Sequence, residues 1–248
     1  MSTLLEREDA LRLAESVLAQ AQQGHGATLL VTGEAGIGKS SLIRELLLRT
    51  QARLRLRVLA GGCEDLISPR PLGPLRDIAL QQRGALLESL LAGAPAADVF
   101  AAFFEMLDTS VICSLVVFED IHWADQATLD LIKFLGRRID QLPVVLLLSY
   151  RDDEVGADHA LQRVIGDMPA VQRIELKPLS AAAVTELAAG AGWPDADLHA
   201  AIGGNPFYVT EVLAGGVGAA RHGIPSAVRG AVLASNGVKS CTTTLQLA

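Results

Sequence analysis

"TLLVTGEAGIGKSSLIREL", residues 28–46, runs from an apolar segment through three glycines into a pattern with helical spacing. Glycine reaches backbone angles that other residues avoid, so Gly33, Gly36 and Gly38 free this loop to wrap a ligand with its own N–H groups. The spacing Gly33-xxxx-Gly38-Lys39-Ser40 is that of a phosphate-binding loop, whose amides cradle an anion while the lysine reaches the outer charges. A helix starting near Lys39 adds free amides and the positive end of its dipole. The candidate nucleotide-binding set is therefore Gly33, Glu34, Ala35, Gly36, Ile37, Gly38, Lys39, Ser40 and Ser41. Within it Lys39 is assigned to the β/γ-phosphates of ATP and Ser40 to Mg²⁺, while Ser41 reads more as a helix residue than as a ligand.

Such a loop needs a second, acidic element to hold the metal and orient water. "LVVFED", residues 115–120, supplies one: four apolar residues deliver Glu119 and Asp120 to the carboxyl edge of a buried strand, where open α/β sheets bind ligands. One carboxylate is expected to hold Mg²⁺ with Ser40 and the other to position the attacking water. Neighbours on a strand point to opposite faces, so the two acids differ in role, and which does which is left open. Arg151 ends the next apolar run and lies at the same edge. It either senses the γ-phosphate or pairs with Asp152, Asp153 or Glu154. Trp123 reads as a packing residue and Asp125 as the N-cap of the helix that begins "QATLDLIKFL".

Apolar runs such as "PVVLLLSY" and "CSLVVF" alternate with helical patterns, which predicts a parallel three-layer α/β sheet over residues 1–178. "RLRLRV" alternates as a half-exposed strand does, and the proline-punctuated "EDLISPRPLGPLRDIA" reads as a loop leading into a helix. An amphipathic helix is expected from about Leu4 to Ala21. From Ser180 the pattern is helical, broken at "GWPDAD" and "GGNPF", which predicts a small helical subdomain over 179–248.

Half of the 248 residues are hydrophobic, enough for a sizeable core. The charged start excludes a signal peptide, and the apolar runs are too short to span a bilayer, so a cytoplasmic location is expected. The three cysteines lack metal-ligand spacing and read as packing residues. A net charge of −7 with no basic stretch, and an aromatic content of 4%, argue against direct binding to DNA or RNA.

The blocks "LLEREDAL", "LLVTGEAGIGKSSLIREL", "GGCEDLISPRPLGPLRDIA", "LVVFEDIHWADQATLDLIKFLGRRI", "LLLSYRDDEV" and "GGNPFYVTEVL" together resemble one family. It is the signal-transduction ATPases with numerous domains, specifically the AAA-like ATPase module of large LuxR-type transcriptional regulators. The resemblance runs from Leu4 to about Ala234. It implies an ATP-dependent switch read by protein partners or by self-association, with a winged-helix region after the helical subdomain. It also implies that the segment around Leu5 and Arg7 lies near the adenine, and that Pro206 packs against the nucleotide. Many relatives carry two aspartates where this chain has Glu119-Asp120. The family's larger members continue into helical repeats and a helix-turn-helix, so the chain, which ends soon after Ile224-Pro225-Ser226, reads as a truncated module. A nucleotide-binding scaffold without turnover and a small-molecule kinase are the competing functions.

Overall fold

The two fully apolar runs form the centre of the sheet. The computed structural model describes residues 4–51, 55–67, 70–169, 171–193 and 198–215. Its strands are β1 (Ala27–Thr32), β2 (Leu56–Gly62), β3 (Cys113–Glu119), β4 (Val144–Tyr150) and β5 (Val171–Glu175). They form one sheet in the order β2-β3-β4-β1-β5, and every pairing is parallel. All of β4 is buried, as are the first six residues of β3, because helices cover both faces of a parallel sheet. β2 lies at an edge, and only Leu59 in it is fully buried, in keeping with a half-exposed strand.

Alternate side chains of each strand enter two separate cores. Leu29, Val31, Leu115, Val117, Val145 and Leu147 meet α1 (Glu8–Ala21) and α2 (Lys39–Gln51) on one face. On the other, Leu30, Leu59, Val116, Phe118, Leu146 and Leu148 meet α3 (Gly73–Gln82), α4 (Ala85–Leu91), α5 (Ala96–Asp108), α6 (Gln126–Gly136) and α7 (Ala160–Gly166). Each fully buried side chain of this size contributes about 1.5–3 kcal/mol. This is the expected three-layer arrangement, with a five-stranded sheet at its centre.

Local chemistry sets the helix starts. Asp125 caps α6 by accepting from the N–H groups of Ala127 and Thr128. Pro74 opens α3, where the missing N–H costs nothing. The helix expected from Leu4 begins only at Glu8, because Glu6 takes a left-handed turn (φ 55°) and Arg7 is drawn into the interior.

Three further helices, α8 (Ala181–Gly190), α9 (Leu198–Ile202) and α10 (Pro206–Ala214), form a unit with its own small core. Leu179, Val184, Leu198, Ile202, Val209 and Val212 supply it, and Leu5 from the chain's start packs against it. Ser180 caps α8 through the N–H of Ala183, and Asn205 caps α10 through that of Phe207. The residues expected to form a winged-helix region, and the segment around Ile224-Pro225-Ser226, lie outside the described residues, as does Cys241.

Candidate nucleotide site

Strand order and register bring the predicted residues to one edge of the sheet. Thr32 sits beside Tyr150, and Phe118 beside Leu148. The loop after β1, the acids after β3 and Arg151 after β4 therefore leave the sheet together. Because β4 lies between β1 and β3, Arg151 emerges between the glycine loop and the acidic pair.

In the loop, Gly33, Gly36 and Gly38 have φ of 141°, 73° and 101°, all on the positive side that glycine tolerates. Lys39 is buried at the first position of α2, and its Nζ donates to the carbonyls of Gly33 (2.7 Å) and Glu34 (3.0 Å). Burial lowers the pKa of its ammonium, and the nearby carboxylate of Asp120 opposes that effect. The Ser40 hydroxyl donates to the Glu119 carboxylate at 2.5 Å, a contact spanning 79 residues of sequence.

The acidic pair departs from the expected strand alternation. β3 ends at Glu119, and Asp120 turns into the left-handed region (φ 55°, ψ 43°). The Ser149 hydroxyl holds that turn by accepting from the Asp120 N–H at 3.1 Å. The two acids thus differ in placement because the backbone turns between them, and not because a strand alternates. Glu119 is in contact with Ser40, whereas Asp120 lines the open cleft.

Of the two roles the sequence left open for Arg151, the structure shows the pairing with a neighbouring acid. Its guanidinium donates to Glu154 at 2.6 Å, lies over the Trp123 ring at 4.7 Å, and borders the cleft. Trp123 therefore packs, as expected, against Arg151 and the His122 ring, whose centroid lies 4.4 Å away. His122 is buried with its ring nitrogens 4.0 Å from Asp120 and 3.5 Å from Glu154, and neither nitrogen has a hydrogen-bond partner among the described residues. Burial lowers its pKa, which favours the neutral ring.

The cleft holds about 410 Å³, within the range of small-molecule sites. Gly36 to Ser41, Asp120 and Arg151 form its polar wall, and Leu4, Leu5, Arg7, Leu179, Leu187 and Pro206 close the other side. Gly33, Glu34 and Ala35 lie in the loop behind that wall, and Glu119 is reached through Ser40. A second cavity of about 420 Å³ opens at the end of β2, between Cys63, Leu80, Leu91 and Trp123, and holds none of the predicted nucleotide residues. Burial pushes the Cys63 thiol up to about 12, which disfavours its thiolate.

Sequence reasoning missed Glu6, Ser149 and Asn205. Ser180 donates to the Glu6 carboxylate through its N–H at 2.9 Å and also through its hydroxyl. Asn205 donates through Nδ2 to the Ala35 carbonyl at 2.9 Å. Only the capping role of Asn205 has a local cause; the other contacts are set by the fold.

A model of the AAA ATPase domain matches residues 3–148, more than half of the chain. The protein belongs to the AAA ATPase domain family. An uncharacterized protein, R02095, of Rhizobium meliloti is 29% identical over 255 residues, covering 86% of this AAA ATPase chain. The chain spans only about a quarter (24%) of that relative's length. Among solved structures, the ORC1 protein of Aeropyrum pernix in complex with DNA aligns over 95% of this chain and 66% of its own, with a TM-score of 0.65 and 19% identity. A Walker-type ATPase of Pyrococcus abyssi aligns over 98% of this chain and 75% of its own, with a TM-score of 0.57 and 15% identity. Both likenesses concern the fold. Among the described residues of this AAA ATPase, no helix is long and apolar enough to cross a membrane.

Proposed function

We propose that the chain binds ATP with Mg²⁺ in this cleft and turns it over slowly, as a switch whose nucleotide state is read by protein partners. The observation that carries this reading is the Ser40–Glu119 contact, which joins the glycine loop to the acidic strand end beside the buried Lys39. The residues present suit the metal. Mg²⁺ is ordinarily held by one or two carboxylates together with substrate phosphates, and Ser40, Glu119 and Asp120 offer a hydroxyl and two carboxylates at the loop. When bound, Mg²⁺ would neutralise phosphate charge. Glu119, with Ser40, is assigned to the metal, and Asp120, in the open cleft, to the attacking water.

The chain's own residues do the rest. The amides of Gly36 to Ser41 at the start of α2 attract phosphate. Lys39 exchanges its carbonyl partners for the phosphates, a trade its depressed ammonium favours because an anion offsets the cost of burial. Arg151 reaches the same charge once it releases Glu154. Leu5, Leu187 and Pro206 form the base side of the cleft, in line with the resemblance to the ATPase modules of LuxR-type regulators.

That resemblance supports a division of the chain into a core over 1–178 and a helical unit after it, and a regulatory role in the cytoplasm. The acidic charge supports recognition through protein surfaces rather than DNA. Single-turnover hydrolysis of ATP with Mg²⁺, alongside calorimetry, tests the reading. Binding with measurable hydrolysis supports it, binding without hydrolysis leaves a nucleotide-holding module, and no binding overturns it.

A further inference from the structure

The glycine loop is held by groups that come from outside it. Five consecutive carbonyls accept hydrogen bonds: Gly33 and Glu34 from Lys39, Ala35 from the Asn205 side chain, Gly36 from the Phe207 N–H at 3.2 Å, and Ile37 from Arg7 at 3.3 Å. The first two bonds are internal. The last three come from the start of α10 and from the segment before α1.

In a trans peptide the C=O of one residue and the N–H of the next point in opposite directions. Fixing the carbonyls of Ala35, Gly36 and Ile37 therefore turns the N–H groups of Gly36, Ile37 and Gly38 the other way. The Ile37 N–H is itself taken up by the Glu34 carbonyl at 3.3 Å, and those of Gly36 and Gly38 are the amides a phosphate would meet. A free glycine-rich loop samples many orientations, so a device that fixes its peptide planes removes an entropic cost from binding.

Two of the three outside donors are side chains. Arg7 is 6% exposed and its guanidinium is spent on carbonyls alone, those of Glu6, Ile37 and Lys177. Asn205 is also 6% exposed; its oxygen caps α10 through Phe207, which leaves its amide to hold Ala35. Gly36 gives the seat. A Cβ there would lie 2.7 Å from the Phe207 Cβ and 3.0 Å from the Asn205 oxygen, so only glycine lets α10 approach.

We infer that Arg7 and Asn205 are positioning residues for phosphate binding, acting through the backbone of the glycine loop and not by touching the nucleotide. The inference rests on the nucleotide reading above and names how that site is held in shape. It also makes the two segments flanking the core part of the phosphate site.

The test compares two ligands by calorimetry, MgATP and Mg-tripolyphosphate, which has no base or ribose. Asn205→Ser keeps a capping oxygen but cannot reach Ala35 with a donor, and Arg7→Lys keeps the charge but loses the fork. Each variant should bind both ligands about fivefold or more weakly, the scale of one lost hydrogen bond, and by the same factor. Wild-type affinity for tripolyphosphate in both variants overturns the inference, as does a loss confined to ATP, which would mean contact with the base. A wild type that binds neither ligand overturns the nucleotide reading itself. Should Arg7→Lys fail to fold, Asn205→Ser decides the matter alone, since its cap is retained.

Discussion

The Ser40 hydroxyl lies 2.5 Å from the Glu119 carboxylate, while the neighbouring Asp120 is turned away by a left-handed backbone into the open cleft. Two adjacent acids thus face different chemistry. Glu119→Gln and Asp120→Asn are each expected to leave ATP binding largely intact and to slow single-turnover hydrolysis by about a hundredfold or more. Rapid-quench measurements with saturating enzyme check this. A variant that hydrolyses at the wild-type rate removes its residue from the chemistry.

Lys39→Ala should weaken MgATP binding by roughly ten- to a hundredfold, the range for a charged hydrogen bond lost in a partly dry site. The Gly33 and Glu34 carbonyls would also lose their donor, so the free protein should melt at a lower temperature than wild type. Calorimetry and thermal unfolding read the two effects separately. Equal ATP affinity in both proteins would refute the assignment of the loop.

Gly36→Ala and Gly38→Ala provide a matched pair. Both positions have positive φ, so each alanine carries backbone strain of about 1–2 kcal/mol. Only at Gly36 does the new Cβ also collide with α10; at Gly38 nothing lies within 4 Å. Gly36→Ala should therefore expose α8–α10 to proteolysis, whereas Gly38→Ala should be destabilised without that change. Identical cleavage patterns in the two variants would mean that α10 does not depend on the glycine for its seat.

Sequence alone made the sheet, the glycine loop and the acidic strand end legible, because apolar runs, glycine spacing and helix caps are local signals. Val144–Tyr150 and the first six residues of Cys113–Glu119 are buried as their composition demands. Strand order was not legible, so nothing in "PVVLLLSYR" showed that Arg151 would emerge between the loop and the acids. The third loop glycine was equally opaque. The motif requires Gly33 and Gly38, whereas the demand at Gly36 comes from its positive φ and from the close approach of Asn205 and Phe207, far away in sequence. The roles of Arg7 and Asn205 were not legible either, since their partners in the loop are backbone carbonyls that no pattern encodes.

The tie between Glu6 and Ser180 should depend on pH. The Ser180 hydroxyl, and then its N–H, hold the Glu6 carboxyl below the ordinary value of about 4.3. Above that ordinary value the carboxylate is charged in both folded and unfolded chains, and the tie contributes fully. As pH falls through the lowered folded value, the unfolded chain has already taken up its proton and the contribution is lost. At this exposed position it is worth less than about 1 kcal/mol. Glu6→Gln should accordingly be less stable than wild type near pH 7 (about 2.5 units above the ordinary value) and lose that deficit in acid. Urea unfolding at several pH values measures it, and a deficit that does not change with pH would sink the idea.

Among the described residues, β1 pairs only with β4 and β5. During synthesis, the strand that leads into the glycine loop finds no sheet neighbour until Val144 and the residues after it have left the ribosome. At ordinary elongation rates of about 5–20 residues per second, that interval lasts several seconds or more. Throughout it, a buried-type segment with both edges unpaired is open to other chains. Fragments ending before β4 should thus be insoluble without chaperones, and a stop in that interval leaves a loop without the surroundings that shape it. The phosphate loop is made more than a hundred residues before the strand that completes its surroundings.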